Sequence, residues 1–540
     1  MTQQQRSLNV GEAFARAMGA FENGNSTEAR RLARQIAEVR PEFGGAHYLL
    51  GIIALDAGQA KRAAQHLASA VGLSPNEPVP RLALARALEE LGNINTAILH
   101  YRSVLARDSG HAEANARLAT LLARGGKADD AVTHCRRALA TCPGHAEALN
   151  TLGALLHDRG EDAEAAGHLR AALGLRPDWG AALNNYALVL NALGRGEEAM
   201  AFLQGAVDLH EDHAGSRINL AAVLRGLGRL AEARVQAERA TKLDPRNADG
   251  WVELGLVRQR SGHPEGAAAA FERAVALAPD RVHAHWCLAE ACRELGEAAR
   301  AASHYRTCLR LDPSDRHGAA LGLALTGAES TPGKAPDAYV RQLFDDYAEE
   351  FDAALVDGLA YRAPELLEGA LRRLLGPPAG SLDVLDAGCG TGLAGPALKP
   401  FARRLEGIDL SPAMVQKAKS RRLYDHLEVG ELVESLRARS RACDLVVAAD
   451  VLVYLGDLDP VMAAVAAALR PGGVFAFTVE RDDAILSYRL GPKQRYVHAP
   501  AYVQQRAAAA GLEVASMEEA VTRQEAGADV PGLVVLLRLA

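Results

Sequence analysis

The chain has 540 residues, 49% of them apolar and 24% charged, with a formal net charge of -7. That length exceeds one ordinary hydrophobic core, so two or three domains are expected. The mild charge excludes any whole-protein electrostatic reason for a nucleic-acid or anionic-membrane partner, and no run of about twenty apolar residues suggests a membrane span.

The opening residues MTQQQRSLNVGEAF lack a basic n-region and an apolar run, so no signal peptide is expected. Seven cysteines, an odd number with no CxxC pair, predict neither a disulfide framework nor a zinc site. A reducing, cytoplasmic setting fits this composition.

From the start of the chain, prolines fall on a 34-residue ladder: Pro41, Pro75, Pro143, Pro177, Pro245, Pro279 and Pro313, with Ser109 and Glu211 on the empty rungs. The same step from Ala29 meets alanine at every rung to Ala301. A third column, running from Ala17 through Gly51 to Ala289, is alanine or glycine throughout. Small residues let two helices of a hairpin approach closely, and a proline stops the second helix before the next unit begins. These columns resemble the tetratricopeptide repeat family, in nine units with a capping helix near residues 316–326. The resemblance implies a helical superhelix over residues 10–326 whose groove binds a protein or peptide partner; a role in assembly alone stays open, as does the oligomeric state. Asn185 and Asn219, one repeat apart, match in position the peptide-holding asparagines in the repeats of O-GlcNAc transferase, but other residue types fill the equivalent rungs, so ordinary helix-surface asparagines are the favoured reading. Most histidines lie in this region, and none forms a metal constellation, since His283 and His285 point to different sides of a helix.

Residues 327–336, GAESTPGKAP, read as an interdomain linker. Beyond it Tyr339, Leu343, Tyr347 and Phe351 recur every fourth residue and predict a helix with an aromatic stripe. From residue 381 short apolar runs alternate with helical patterns, the mark of an α/β sheet. Its first strand enters a turn, Asp386-Ala-Gly388-Cys-Gly390-Thr-Gly392. Backbone without Cβ atoms admits a ligand closely, and a following helix N-terminus offers N–H groups. A glycine turn alone would also suit a dinucleotide enzyme.

The DxGxGxG spacing resembles motif I of the class I S-adenosylmethionine-dependent methyltransferases, and three further landmarks follow in order. These are Asp409 and Leu410 at the next strand end, Gly430-Glu431-Leu432 after the third strand, and the Leu469-Arg-Pro-Gly-Gly473 turn before the fifth. A closer likeness, to methyltransferases carrying tetratricopeptide repeats, rests on FDDYAEEFDAAL, DVLVYLGDL, RYVHAPAYV and TRQEAGADVPGL. The resemblance implies a Rossmann-like class I methyltransferase domain over residues 337–540 that uses S-adenosylmethionine. In it Asp386, Gly388, Gly390, Gly392, Asp409, Leu410, Glu431, Leu432 and Asp450 would hold the cofactor, and Tyr347 would reach it from a lid helix.

Methyl transfer chiefly requires an aligned acceptor and a dry site, with a base only where the acceptor must lose a proton. The acceptor side is expected beyond strands four and five and in the tail. Asp450, Tyr454 and His498 are candidates for catalysis; Arg495, Tyr496 and Arg523 are candidates for binding substrate, with Glu480 nearby. Either arginine could instead be a structural ion pair. A small-molecule acceptor, and an adaptor that binds cofactor without turnover, remain alternatives at this level. No metal ligand set is expected.

Overall fold

The computed structural model describes residues 10–348, 351–353, 361–525 and 528–540. Parts of the FDDYAEEFDAAL and TRQEAGADVPGL segments fall outside them. The chain forms two compact units, one up to Asp244 and one from Pro245.

The first unit is seven antiparallel helical hairpins, from Val10–Glu22 with Ser26–Val39 to Ala214–Gly226 with Leu230–Leu243. Every member of the Ala29 column in it is fully buried at the helix contact. The glycines of the Ala17 column are equally forced, because a Cβ on Gly51 would stand 2.5 Å from Leu67 Cγ, and one on Gly153 the same distance from Leu169 Cγ.

Two further devices recur with the repeat. Gly24 and its successors at 34-residue steps, through Gly228 in this unit, all have φ between +68° and +78° and end the first helix of their hairpins. The next N–H reaches back to the helix, as Asn25 N does to Ala20 O at 2.8 Å, so orphan carbonyls are satisfied without a Cβ penalty. At the other end, the carbonyl on the proline rung can receive a side chain six residues on, as in Arg81 to Pro75 O at 2.9 Å, but not after Pro143 or Pro177, where that residue is leucine. Where serine or glutamate replaces the proline, the bond persists: Asn115 donates to Ser109 O at 2.9 Å and Arg217 to Glu211 O at 3.0 Å.

The second unit begins with two such hairpins, Ala248–Arg260 with Pro264–Leu277 and Val282–Glu294 with Ala298–Leu311, and a closing helix Ala319–Leu325. The same anchor appears as Trp251 Nε1 to Pro245 O at 3.0 Å. The helix Asp337–Tyr347 follows, then, after Ala363–Leu375, nine strands: β1 (Leu382–Ala387), β2 (Ala402–Asp409), β3 (His426–Val429), β4 (Cys443–Ala448), β5 (Leu469–Arg481), β6 (Tyr488–Leu490), β7 (Tyr496–His498), β8 (Leu512–Glu525) and β9 (Ala528–Leu539).

Strands β3-β2-β1-β4-β5 are parallel, β9 runs antiparallel beside β5, and β8 closes that edge. The β6–β7 hairpin extends the far end of β5 through Glu480 opposite Val497. Successive residues alternate between two cores: Val446, Phe475, Phe477 and Val535 pack on one face, Leu405, Val447, Ala476 and Leu536 on the other. The LRPGG segment, read as a turn, is absorbed into an irregular start of β5, where the register with β4 shifts between Cys443 and Leu445. Strand order reverses between β1 and β4, which opens a crevice at their carboxyl ends.

The 327–336 segment is fixed against this sheet domain. Gly456 N and Asp457 N donate to Gly333 O at 2.8 and 2.7 Å, Ala335 N to Tyr454 O at 2.9 Å, and the Tyr496 hydroxyl to Pro332 O at 2.7 Å. Leu321 of the closing helix is buried in one apolar cluster with Tyr454, Leu490 and Tyr496. Among the described residues no helix is long and apolar enough to cross a membrane.

Candidate functional site

The crevice at the β1–β4 switch is a cavity, and its lining brings together residues from widely separated stretches of sequence. The three glycines of the motif differ in their reasons. Gly388 has φ +87°, and a Cβ there would collide with Val451. Gly390, at φ +53°, borders the cavity, and its missing Cβ would meet only Phe351 at 3.8 Å, so it leaves space for a ligand. Gly392 faces away from the cavity; a Cβ there would meet Arg421 and Tyr424 at 3.1 Å.

Asp386, the penultimate residue of β1, stands in the cavity wall at 1% exposure. Its Oδ2 accepts from the Tyr424 hydroxyl at 2.6 Å, while Oδ1 is buried with no partner. Burial pushes this carboxyl up to about 7, against the Tyr424 bond, which acts to lower it. A buried acceptor left unpaired is costly, and a cationic or N–H donor in the cavity would remove that cost. Asp409, at the end of β2, accepts from Gly390 N at 2.8 Å on one oxygen and from Ser411 N at 2.9 Å on the other, so one carboxylate stiffens both loops. Burial raises its pKa as well. Leu410 and Leu432 supply apolar wall. Glu431 also lines the cavity; its Oε2 caps the helix Leu432–Arg437 by accepting from Glu434 N at 2.8 Å, and Oε1 lies 3.4 Å from Lys334 Nζ.

At the far wall Asp450 follows β4 with φ +57°, a conformation rarely adopted by a residue with a Cβ. It is clamped there: its N donates to Thr478 Oγ1 at 2.8 Å, and its carboxylate accepts from the same hydroxyl at 3.1 Å and from Arg523 at 2.8 Å. Arg523, 2% exposed, also pairs with Glu480 and, at 3.1 Å, with Glu525. Arg495 shares Glu525 at 2.7 Å. Arg523 borders the cavity with its donors committed to three carboxylates, so its evident work is to hold Asp450 in place. Tyr454 lines the same end from the short turn Leu452–Tyr454 after β4.

Several residues singled out in the sequence stand elsewhere. Tyr347 is 38% exposed and does not border the cavity; Val340 and Phe344, on a neighbouring stripe of the same helix, do. A four-residue spacing identifies a helical face without saying which face turns inward. His498 is fully buried on β7, where Nε2 faces the carbonyls of Leu455 at 2.8 Å and Gly456 at 3.3 Å, and burial depresses its pKa to about 4. It fastens the turn beside Tyr454 and does not border the cavity. Tyr496, also fully buried, is spent on Pro332. Tyr361 was missed: it lines the cavity near Asp386 and Asp450, and burial and those carboxylates raise its pKa. No periodicity marks it in the sequence.

The geometry defines a chain of helical hairpins followed by a doubly wound α/β domain with a cavity at its strand-order switch. The Methyltransferase domain family matches residues 359–516, and Tetratricopeptide repeat families match residues 14–78, 82–146, 179–217, 213–243 and 252–316. The chain therefore carries tetratricopeptide repeats in its N-terminal part and a methyltransferase domain in its C-terminal part. Similar proteins include a ubiquinone biosynthesis O-methyltransferase of Methylobacterium sp. (strain 4-46), 34% identical over 112 residues, covering 20% of this chain and 45% of the relative. Methyltransferase-like protein 27 of Homo sapiens is 32% identical over 151 residues, covering 27% and 60%. The chain thus spans less than two thirds of either relative. Among solved structures, the APC/C hetero-tetramer Cut9-Hcn1 aligns at a TM-score of 0.42 and 18% identity, over 53% of this chain and 57% of that one.

Proposed function

We propose that this chain is an S-adenosylmethionine-dependent methyltransferase whose repeats recruit a protein or peptide, as partner or as substrate. The observation that carries the reading is Asp386 Oδ1, a buried acceptor without a partner in the wall of the motif I cavity. S-adenosylmethionine, when bound, supplies a methyl group activated by a sulfonium. Its amino-acid ammonium is the kind of donor that Oδ1 lacks, and the open approach at Gly390 suits a close-lying ligand.

Asp409 would accept from ribose hydroxyls while its bonds to Gly390 and Ser411 keep it in place. Leu410 and Leu432 would shield the adenine, with Glu431 beside its edge. On the acceptor side, Val340, Phe344 and Phe351 form an apolar wall that excludes water, and Tyr454 and the clamped Asp450 offer polar groups to orient an incoming nucleophile. Asp450 could accept a proton from an acceptor that must lose one.

Calorimetric titration of the full chain with S-adenosylhomocysteine and, separately, with NAD tests the cofactor. Tight binding of the first without the second is expected; NAD binding alone overturns the proposal. A cytoplasmic setting belongs to the same reading and is tested by fractionation.

A further inference from the structure

A second concavity lies wholly within the first unit, between the helix Ile94–Leu105 and the end of the helix Ala112–Arg124. Ile94, Ile98 and Leu99 line one side, and Arg102, Arg124 and Lys127 rim it with no carboxylate in the lining. Leu99 is 64% exposed, unusual for a leucine on an otherwise well-packed helix.

The repeat supplies its own control. At 34-residue steps the trio Ile94, Ile98 and Leu99 becomes Ala60, Ala64 and Gln65 in the unit before, and Ala128, Val132 and Thr133 in the unit after. Both neighbours form the same hairpin. The bulky aliphatic residues at 94 and 99 are therefore not a requirement of the fold, whereas Ile98 has an aliphatic counterpart in the buried Val132. Nor do the three cations serve the hairpin through ion pairs: their guanidinium and ammonium groups have none among the described residues, whereas many arginines elsewhere in the repeats pair with a neighbouring carboxylate, as Arg159 does with Asp129. Exposed aliphatic surface framed by unpaired cations suits a ligand that is both apolar and anionic.

We infer that this groove seats an acidic segment of a partner protein, with aliphatic side chains against Ile98 and Leu99 and carboxylates toward Arg102, Arg124 and Lys127. The inference rests on the reading that the repeats recruit a protein, and it adds the place and the chemistry of recognition. Charge steers such a segment to the groove and the aliphatic contacts hold it, so binding weakens as salt rises.

The test is fluorescence anisotropy of the full chain with a short labelled peptide that alternates glutamate with leucine, compared with a lysine–leucine and a glutamate–alanine peptide. The glutamate–leucine peptide is expected to bind, and the other two to bind at least about tenfold more weakly. The double variant Arg102→Glu with Arg124→Glu, and separately Leu99→Ser, should each weaken binding by about tenfold; all three side chains are exposed, and circular dichroism confirms the fold. Absence of glutamate–leucine binding, unchanged affinity in both variants, or equal binding of the glutamate–alanine peptide overturns the inference. So does a dimer, seen by sedimentation, that the variants dissolve, since the occupant would then be a second copy. A partner that needs the repeats yet binds both variants like the parent removes this groove while recruitment stands. Methyl transfer unaffected by loss of the repeats removes recruitment itself.

Discussion

Arg523 and Asp450, 73 positions apart in the chain, meet at 2.8 Å and together form the rigid wall of the cavity. The arginine approaches from β8 and the aspartate from the end of β4, so two distant strands are locked by one ion pair that neither strand could form alone.

Replacing Arg523 by Met should leave the carboxylates of Asp450, Glu480 and Glu525 crowded without their shared cation. Breaking a buried pair in this way costs about 3 to 5 kcal/mol. Urea unfolding followed by a probe on the sheet domain should show a lowered midpoint, whose shift multiplied by the m-value gives a loss of that size. Arg523→Lys should recover only part of it, because an ammonium cannot copy the guanidinium fork. A midpoint equal to the parent's in Arg523→Met would show that the network contributes nothing to stability.

Asp409→Ala should weaken S-adenosylhomocysteine binding about ten- to hundredfold, since bonds to charged acceptors contribute roughly 1.5 to 3 kcal/mol. The same change frees Gly390 N and Ser411 N, so proteolysis near residue 390 should accelerate. Calorimetry and a timed digest read the two effects separately.

On the proposed reading, Asp386 should make cofactor binding depend on pH. Its carboxyl titrates near 7 in the free protein, and only the ionised form attracts an ammonium, so affinity for S-adenosylhomocysteine should be level above that pH and fall about tenfold per unit below it. Asp386→Asn should bind weakly and without this slope. Stability runs the opposite way: between about pH 4 and 7 the folded free protein keeps a proton that the unfolded chain has released, so its stability declines as pH rises. Titrations at pH 5.5, 6.5 and 7.5 are sufficient to see the binding slope; affinity constant across them contradicts this account.

Histidines set an opposing trend in acid. His304 and His498 are depressed to about 4 by burial, and His66, His100 and His134 are lowered for the same first reason. The unfolded chain takes up these protons near pH 6.5 and the folded one resists, so their contribution to stability is present above that pH and is lost as pH falls toward 4. His304 Nδ1 stands 3.0 Å from His285 Nδ1, where one ring must donate and the other accept. His304→Gln should therefore reduce the acid slope of unfolding measured between pH 6.5 and 4.5. An unchanged slope would assign the effect to the other histidines.

The sequence displays what repeats or what sits beside its own motif. The proline, alanine and small-residue columns specify the hairpins, and the run from Asp386 to Asp409 specifies two sides of the crevice, because local spacing carries those constraints. The glycine column from Gly24 is equally visible in the sequence, and only the backbone shows that its positive φ ends the first helix of each hairpin. Side chains assembled across the fold were less legible. Nothing near Arg523 announces Asp450, and nothing near Tyr361 announces the cavity. His498 and Tyr496 lie near the mouth in sequence yet point into packing, and the turn of the 337–347 helix brings Phe344 rather than Tyr347 to the cavity. These outcomes depend on the rotation of a helix and the register of a late hairpin, which tertiary packing decides.

The backbone bonds at Gly333 and Ala335 have a practical meaning for anyone grafting this domain onto another scaffold. A splice made in the Pro- and Gly-rich stretch, where composition invites a cut, would sever an edge bridge between Lys334 and Leu455 and shift the turn that presents Tyr454. A chimera joined near residue 245, where the compact units divide, would carry the closing helix and this bridge along intact. A donor fragment that retains the native cavity wall must therefore begin before the closing helix, whose Leu321 packs with Tyr454, and not at the residue where the sequence motifs outline the domain.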